Sequence, residues 1–185
     1  MIIYGGKRRL DLLQLEKSLT MKLSLAWKYN KGIKEMNIIP VTKNNLTDAA
    51  RIHSISWKES HRSFCTKEFI EFHSVEHQQE YIAKKINEGS HFYMMTTELP
   101  VAVISEKDGM IEDLYVLPEY QNNGYGTGLL TYIVQTIKGR NQTPTLWILE
   151  NNEGAERLYL REGFIPSGKR NSITNKLDEI EFILK

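Results

Sequence analysis

Cysteine is almost missing from this chain: Cys65 is the only one in 185 residues. A lone thiol excludes an intramolecular disulfide and suits a reducing compartment, so the sequence reads as cytoplasmic. Long apolar runs are missing too, and none approaches the ~20 residues that a bilayer-spanning helix requires. Net charge is scarce, at +1, which argues against a nucleic acid or a membrane surface as the main partner. No internal repeat or low-complexity tract is present, and the length suits one domain with room for an appendage.

The small net charge hides an uneven distribution. Residues 1–36 hold eight Lys/Arg against three Asp/Glu, leaving 16 against 20 in residues 37–185. An acidic body tolerates a cationic acceptor such as an amine. Within the basic stretch, Leu12, Leu15, Leu19, Leu23 and Ala26 share one side of a helix. Asp11, Glu16 and Lys17 interrupt what would be the apolar core of a secretory signal. We therefore divide the chain into a helical extension over 1–36 and a domain over 37–185. The favoured role for the extension is packing, its leucine stripe covering an apolar patch, while an organelle-targeting, membrane-surface or self-association role stays open, the last making a homo-oligomer an option.

From Asn37 the punctuation is regular. A short strand holding Pro40 precedes a helix that Asn45 can cap, with Ala49, Ile52, Ile55 and Ser56 at core spacing. Helical stretches over Lys67–Phe72 and Val75–Asn87 follow, the second ending at Gly89 in the C′ position. His91–Thr97, Val101–Ser105 and Gly109–Val116 read as three antiparallel strands joined by short turns. Then come a helix over Gly124–Lys138 stopped by Gly139, a strand over Thr145–Leu149, a helix over Asn152–Arg161, and a hairpin of Phe164–Lys169 with Leu177–Leu184.

The most informative stretch lies between the third strand and its following helix. Gly124, Gly126 and Gly128 allow successive backbone N–H groups to face one point, and the helix adds the positive end of its dipole. Such a turn suits a phosphate. A nucleotide P-loop would need Gly-Lys-Ser/Thr, and the dinucleotide fingerprint would need glycine where Leu129 stands, so neither fits.

Gln121-x-x-Gly124-x-Gly126 instead resembles the acyl-coenzyme A loop of the GNAT N-acetyltransferase family. A second stretch carries the same resemblance: Asn152, Ala155, Tyr159, Gly163 and Phe164 match every specified position of Asn-x-x-Ala-x-x-x-Tyr-x-x-x-Gly-Phe. The agreement in element order runs from Asn37 to the C-terminus, while residues 1–36 have no counterpart. The resemblance implies a mixed α/β fold with a mostly antiparallel sheet and helices on both faces. Its strands Ile111–Val116 and Thr145–Leu149 would splay apart at the coenzyme. It also implies acetyl-coenzyme A as cosubstrate, held by Gln121, Asn122, Asn123, Gly124, Tyr125, Gly126 and Thr127. The pantetheine arm would lie along Leu114, Tyr115 and Val116, paired with the backbone of Leu114 and Val116, one N–H of which could polarise the thioester carbonyl. Asn152 would cap its helix or reach the coenzyme.

The chemistry can be argued beside the resemblance. Acetyl transfer to an amine needs a neutral amine, a polarised carbonyl and a protonated leaving thiolate. A phenol stays protonated at neutral pH and can hand its proton over, and the family uses the tyrosine at Tyr159 as general acid. A core tyrosine with a bonded hydroxyl is the structural alternative. Strand alternation puts Met110, Glu112, Leu114 and Val116 on one face, with Asp113 pointing away. If that face meets the coenzyme, Glu112 is placed to accept the amine proton through water, against the alternative of a solvated or ion-paired side chain.

Three other features draw plainer readings. His73 and His77 lack the zinc-protease pattern and a third ligand, so no metal is expected. Direct transfer gives Cys65 no nucleophilic task. Trp57, His61, Arg62 and Phe64 are candidates for the acceptor pocket. The sequence thus reads as an N-acetyltransferase acting on an unidentified primary amine, of a small molecule or a protein. A non-catalytic acyl-coenzyme A sensor is the alternative.

Overall fold

The computed structural model describes residues 36–63, 65–174 and 177–185. The leucine-striped stretch expected as a helical extension therefore lies outside the described residues, as does Phe64. The elements follow the order β1 (Asn37–Pro40), α1 (Leu46–His61), α2 (Lys67–Phe72), α3 (Val75–Asn87), β2 (His91–Thr96), β3 (Pro100–Lys107), β4 (Met110–Val116), α4 (Tyr125–Gly139), β5 (Thr145–Leu149), α5 (Glu153–Arg161), β6 (Phe164–Thr174) and β7 (Leu177–Leu184).

The strands form one seven-stranded sheet in the order β1-β2-β3-β4-β5-β7-β6. Its ladders are antiparallel except between β4 and β5, which run parallel and pair only at Met110↔Thr145 and Ile111↔Leu146. Beyond Ile111 the two strands part, opening the expected splay in the middle of the sheet.

Two-sided burial explains why β2 and β3 read as continuous apolar runs. Phe92, Met94 and Val103 join Ala49, Ala50, Ile52 and Ile82 beneath α1 and α3. Tyr93, Met95 and Ile104 join Leu129, Ile133 and Ile137 of α4 on the opposite face, together with Tyr159 of α5. The sheet is thus mixed and mostly antiparallel, with helices on both faces. Caps define several ends: Thr66 and Ser74 accept from the backbone N–H groups of Phe69 and His77, and Gly89 closes α3 at φ 100°.

Four local expectations are corrected. The side chain of Asn45 turns backward, accepting from Thr42 N at 2.6 Å and donating to Pro40 O at 3.1 Å, and does not cap α1. Gly139 lies inside α4, and left-handed Asn141 at φ 58° follows the helix end. Strand β6 continues past Lys169 to Thr174 because a register irregularity between Pro166 and Arg170 lets pairing with β7 resume. Ile55 is exposed at 38%, whereas the buried side of α1 carries His53, Ser54 and Ser56 among its alanines and Ile52.

Candidate active site

The glycine loop leaves β4 through a single turn of 3₁₀ helix over Pro118–Tyr120. Gln121 donates from Nε2 to Val116 O at 3.2 Å, tying the loop to the strand end. Asn123 is tied back as well, donating to Tyr120 O and Gln121 O. Asn122 at φ 60° and Gly124 at φ 85° then take left-handed conformations, and the chain enters α4.

Only Gly124 among the three loop glycines needs positive φ. Gly126 and Gly128 are already helical. A Cβ on Gly126 would sit 3.5 Å from Val116 Cγ2, an ordinary contact, so the chain's own packing does not demand glycine there. The bare backbone at Gly126 leaves room for a molecule outside the helix. No side chain caps α4, in contrast to α2, α3 and α5. The N–H groups of the first helical turn, at Tyr125, Gly126 and Thr127, therefore have no intrahelical acceptor.

These groups open on a cleft of about 1130 Å³ that runs through the splay. One wall is formed by the start of α4, by Trp147–Leu149 of β5 and by α5. The other includes Ser56, Glu59, Ser60 and His61 of α1, and Glu112 to Val116 of β4 run between them. Of the residues anticipated from sequence, Glu112, Leu114, Tyr115, Val116, Gln121, Asn122, Gly124, Tyr125, Gly126, Thr127, Asn152 and Tyr159 all line this cleft. Asn123 is outside it, occupied with holding the turn.

Asn152 caps α5, its Oδ1 accepting from Ala155 N at 3.1 Å. The helix turns Tyr159 inward to 7% exposure, with its ring edge-on to Phe164 at 5.7 Å between centroids. No side chain or backbone group among the described residues hydrogen-bonds its hydroxyl. Burial raises the phenol's pKa above its ordinary value, and the negative charge of Asp113 adds to the shift. The phenol therefore stays protonated at neutral pH.

Strand alternation fails at Glu112. Ser105 pairs with Asp113 while Glu106 pairs with Ile111, so Glu112 is the extra residue of a β-bulge. Leu114 and Val116 keep to the α4/α5 face and Tyr115 to the α1/α3 face. The bulge carries Glu112 to the α1/α3 face too, beside Asp113, which corrects the expectation that Glu112 shares a face with Leu114. There its Oε1 accepts from Lys85 Nζ at 2.6 Å and its Oε2 from Ser90 Oγ at 2.7 Å. Asp113 accepts from Ser105 Oγ at 2.7 Å and meets His53 Nε2 at 3.2 Å. Burial alone would raise its carboxyl pKa, but the hydrogen bonds from His53 and Ser105 outweigh burial and hold it below the ordinary value.

Two site residues escaped the sequence reading. Arg157 and Arg161 line the cleft from α5, and Arg161 Nη2 lies 3.2 Å from Thr127 Oγ1, placing a cation beside the uncapped end of α4. Their spacing of one helical turn, beside a glycine-rich loop, was the available signal. Among the acceptor-pocket candidates, Trp57 is stacked between His61 and His73, at 4.0 and 3.4 Å between ring centroids. Of these, His61 lines the cleft, and Arg62 is exposed and paired with Glu59. Among the described residues no helix is long and apolar enough to cross a membrane, and no group of three or more His, Cys, Asp or Glu could hold a metal.

Comparison with known proteins agrees with this architecture. The profile of the Acetyltransferase (GNAT) family matches residues 46–164, and the chain belongs to that family. Among solved structures it is similar to the PaiA N-acetyltransferase of Thermoplasma acidophilum in complex with coenzyme A, at 18% identity and TM-score 0.62, covering 79% of this chain and 97% of that one. YncA of Salmonella typhimurium, solved with its cofactor acetyl-CoA, aligns at 16% identity and TM-score 0.60, over 81% of this chain and 93% of that one. The ribosomal-protein-S18-alanine N-acetyltransferase of Escherichia coli aligns at 19% and TM-score 0.60, over 80% and 92%. No curated protein matched.

Proposed function

We propose that this chain transfers an acetyl group from acetyl-CoA directly to a primary amine, with Tyr159 as general acid. The observation that carries the reading is the Tyr159 hydroxyl, unbonded by the described protein groups on the same cleft as the uncapped α4 N-terminus. The residues present fit the coenzyme. The N–H groups of Tyr125, Gly126 and Thr127, with Arg161 beside them, suit its pyrophosphate. Beyond Ile111 the edge of β4 that faces β5 has no strand partner, so Leu114 to Val116 can pair with the pantetheine arm as with an added strand. When bound, the cosubstrate supplies a thioester whose carbonyl accepts a nucleophile.

Each protein group then has a bounded task. A backbone N–H at the end of β4 polarises the carbonyl, and Tyr159 protonates the departing thiolate. Glu112, the proton acceptor expected from strand alternation, has both oxygens engaged by Lys85 and Ser90, so removal of the amine proton falls to other groups. The acidic residues on the α1/β4 side of the cleft suit a cationic acceptor. Thiol release from acetyl-CoA over a panel of primary amines tests the reading. Amine-dependent release supports it, whereas coenzyme binding without turnover on any amine would make this a sensor.

A further inference from the structure

Strand β7 carries three carboxylates, Asp178, Glu179 and Glu181, and cations of β6 match two of them. Lys169 Nζ meets Glu181 at 3.1 Å, while Arg170 Nη2 meets Asp178 at 3.2 Å and Glu150 at 2.6 Å. The Glu179 side chain has no hydrogen-bond or ion-pair partner among the described residues. It is half-buried and lines the cleft.

Strand alternation fixes the face it projects from. Leu146 and Ile148 of β5 and their register partners Phe182 and Ile180 of β7 pack in the α4/α5 core. Trp147, Leu149 and Glu179 therefore project from the opposite face, the one that α1 and α3 cover over β2 to β4. Trp147 pairs with Glu181 and Leu149 with Glu179, which makes Trp147 and Glu179 diagonal neighbours. Such neighbours stand about 7–8 Å apart, within reach of one small group held between them. Trp147 is half-buried and lines the cleft too, and no ring contact or hydrogen bond among the described residues occupies its indole.

An indole beside an unmatched carboxylate is a receptor for an ammonium group. The ring face attracts the cation, and the carboxylate accepts its hydrogen bonds. The reacting nitrogen belongs elsewhere, because it must meet the thioester in the gap between β4 and β5. Glu179 lies on β7, one strand spacing of about 4.8 Å beyond β5. The cation held there is therefore a second one, and a chain of a few methylene groups spans the interval. Arg157 and Arg161, which would repel it, belong to α5 on the other face of the sheet.

We propose that the acceptor is a linear diamine or polyamine, acetylated at one end while Glu179 and Trp147 hold a distal ammonium group. This rests on the acetyl-transfer reading above and assigns its substrate class. Glu179 and Trp147 act as specificity determinants and touch none of the reacting atoms.

The test uses the full chain with acetyl-CoA and compares butylamine with 1,4-diaminobutane, which differ in the distal ammonium, beside spermidine and an alanyl peptide. The wild type should favour 1,4-diaminobutane over butylamine by about tenfold or more in kcat/KM. Glu179→Gln should bring that ratio close to one, chiefly by raising KM for the diamine, with coenzyme affinity unchanged. Trp147→Leu should lower the ratio independently, so a folding defect in one variant leaves the other to decide. Glu88→Gln, at an exposed surface pair with Lys84, should keep the wild-type ratio. A wild-type ratio near one, turnover on the alanyl peptide alone, or an undiminished ratio in Glu179→Gln would overturn the diamine assignment and leave acetyl transfer standing. Thiol release with none of the four acceptors would overturn the acetyl-transfer reading itself, and the assignment with it.

Discussion

Asp113 and Tyr159 approach the splay from opposite layers of the sheet, and the carboxylate's charge helps hold the phenol protonated. Tyr159→Phe therefore removes a proton donor without stranding a hydrogen-bond partner. The expected outcome is a fall in kcat of about a hundredfold or more, with coenzyme affinity and thermal midpoint near wild type. Saturated turnover and melting on one preparation check it, and unchanged kcat would remove Tyr159 from the mechanism.

Gly126→Ala separates binding from folding. The new Cβ meets Val116 at an ordinary 3.5 Å and sits in a helix, so stability should rise by up to about 1 kcal/mol. Coenzyme affinity should fall, because the methyl group occupies the approach to the N–H groups of the first turn. Calorimetry with coenzyme A beside a melt checks both signs, and undiminished affinity would place the ligand elsewhere.

Lys85→Met leaves the carboxylate of Glu112 with Ser90 as its remaining described partner. The Glu112 side chain is 9% exposed, so the variant should lose about 1–3 kcal/mol of stability. Lys85→Met combined with Glu112→Gln should recover part of that loss. Urea denaturation of the three proteins gives the comparison.

Stability should fall as pH drops below about 6.5. His61 and His73 have pKa values lowered from an ordinary 6.5, each chiefly by burial. The unfolded chain thus binds protons first, so stability is fully present above 6.5 and is lost as pH falls toward the folded values. Asp113, lowered from an ordinary 3.8, contributes stability present above 3.8 and lost only below it. Thermal midpoints at pH 7.5 and 5.5 should differ, and His73→Gln should shrink the difference.

The helices could be read from sequence because their core faces repeat with the helical period, and β2 and β3 because short apolar runs lie between turn signals. Gly89, Asn152 and the glycine loop announced their turns through residues whose backbone or side-chain chemistry has few other uses. Glu112 could not be placed, since a bulge depends on the register between β3 and β4, and a two-residue period carries no mark of the extra residue. The inner face of α1 was misread at Ile55 for a related reason. Hydropathy assigns apolar residues inward, and here the buried polar residues His53, Ser54 and Ser56 took that side, His53 against Asp113. Arg161 reached the loop only through the packing of α5 against the start of α4.

On the acetyl-transfer reading, the parting of β4 from β5 would make the coenzyme a structural member of the sheet. Strands β1 to β4 and β5 to β7 pair along most of their lengths, while the seam between them holds only two register pairs. A molecule laid along Leu114 to Val116 acts as a keystone, fastening halves that the chain itself leaves nearly unstitched. Coenzyme at a hundredfold above its dissociation constant would add about 2.7 kcal/mol to stability, and amide exchange should slow along both lips of the seam. The resting protein is in this sense a sheet with one strand still to be supplied.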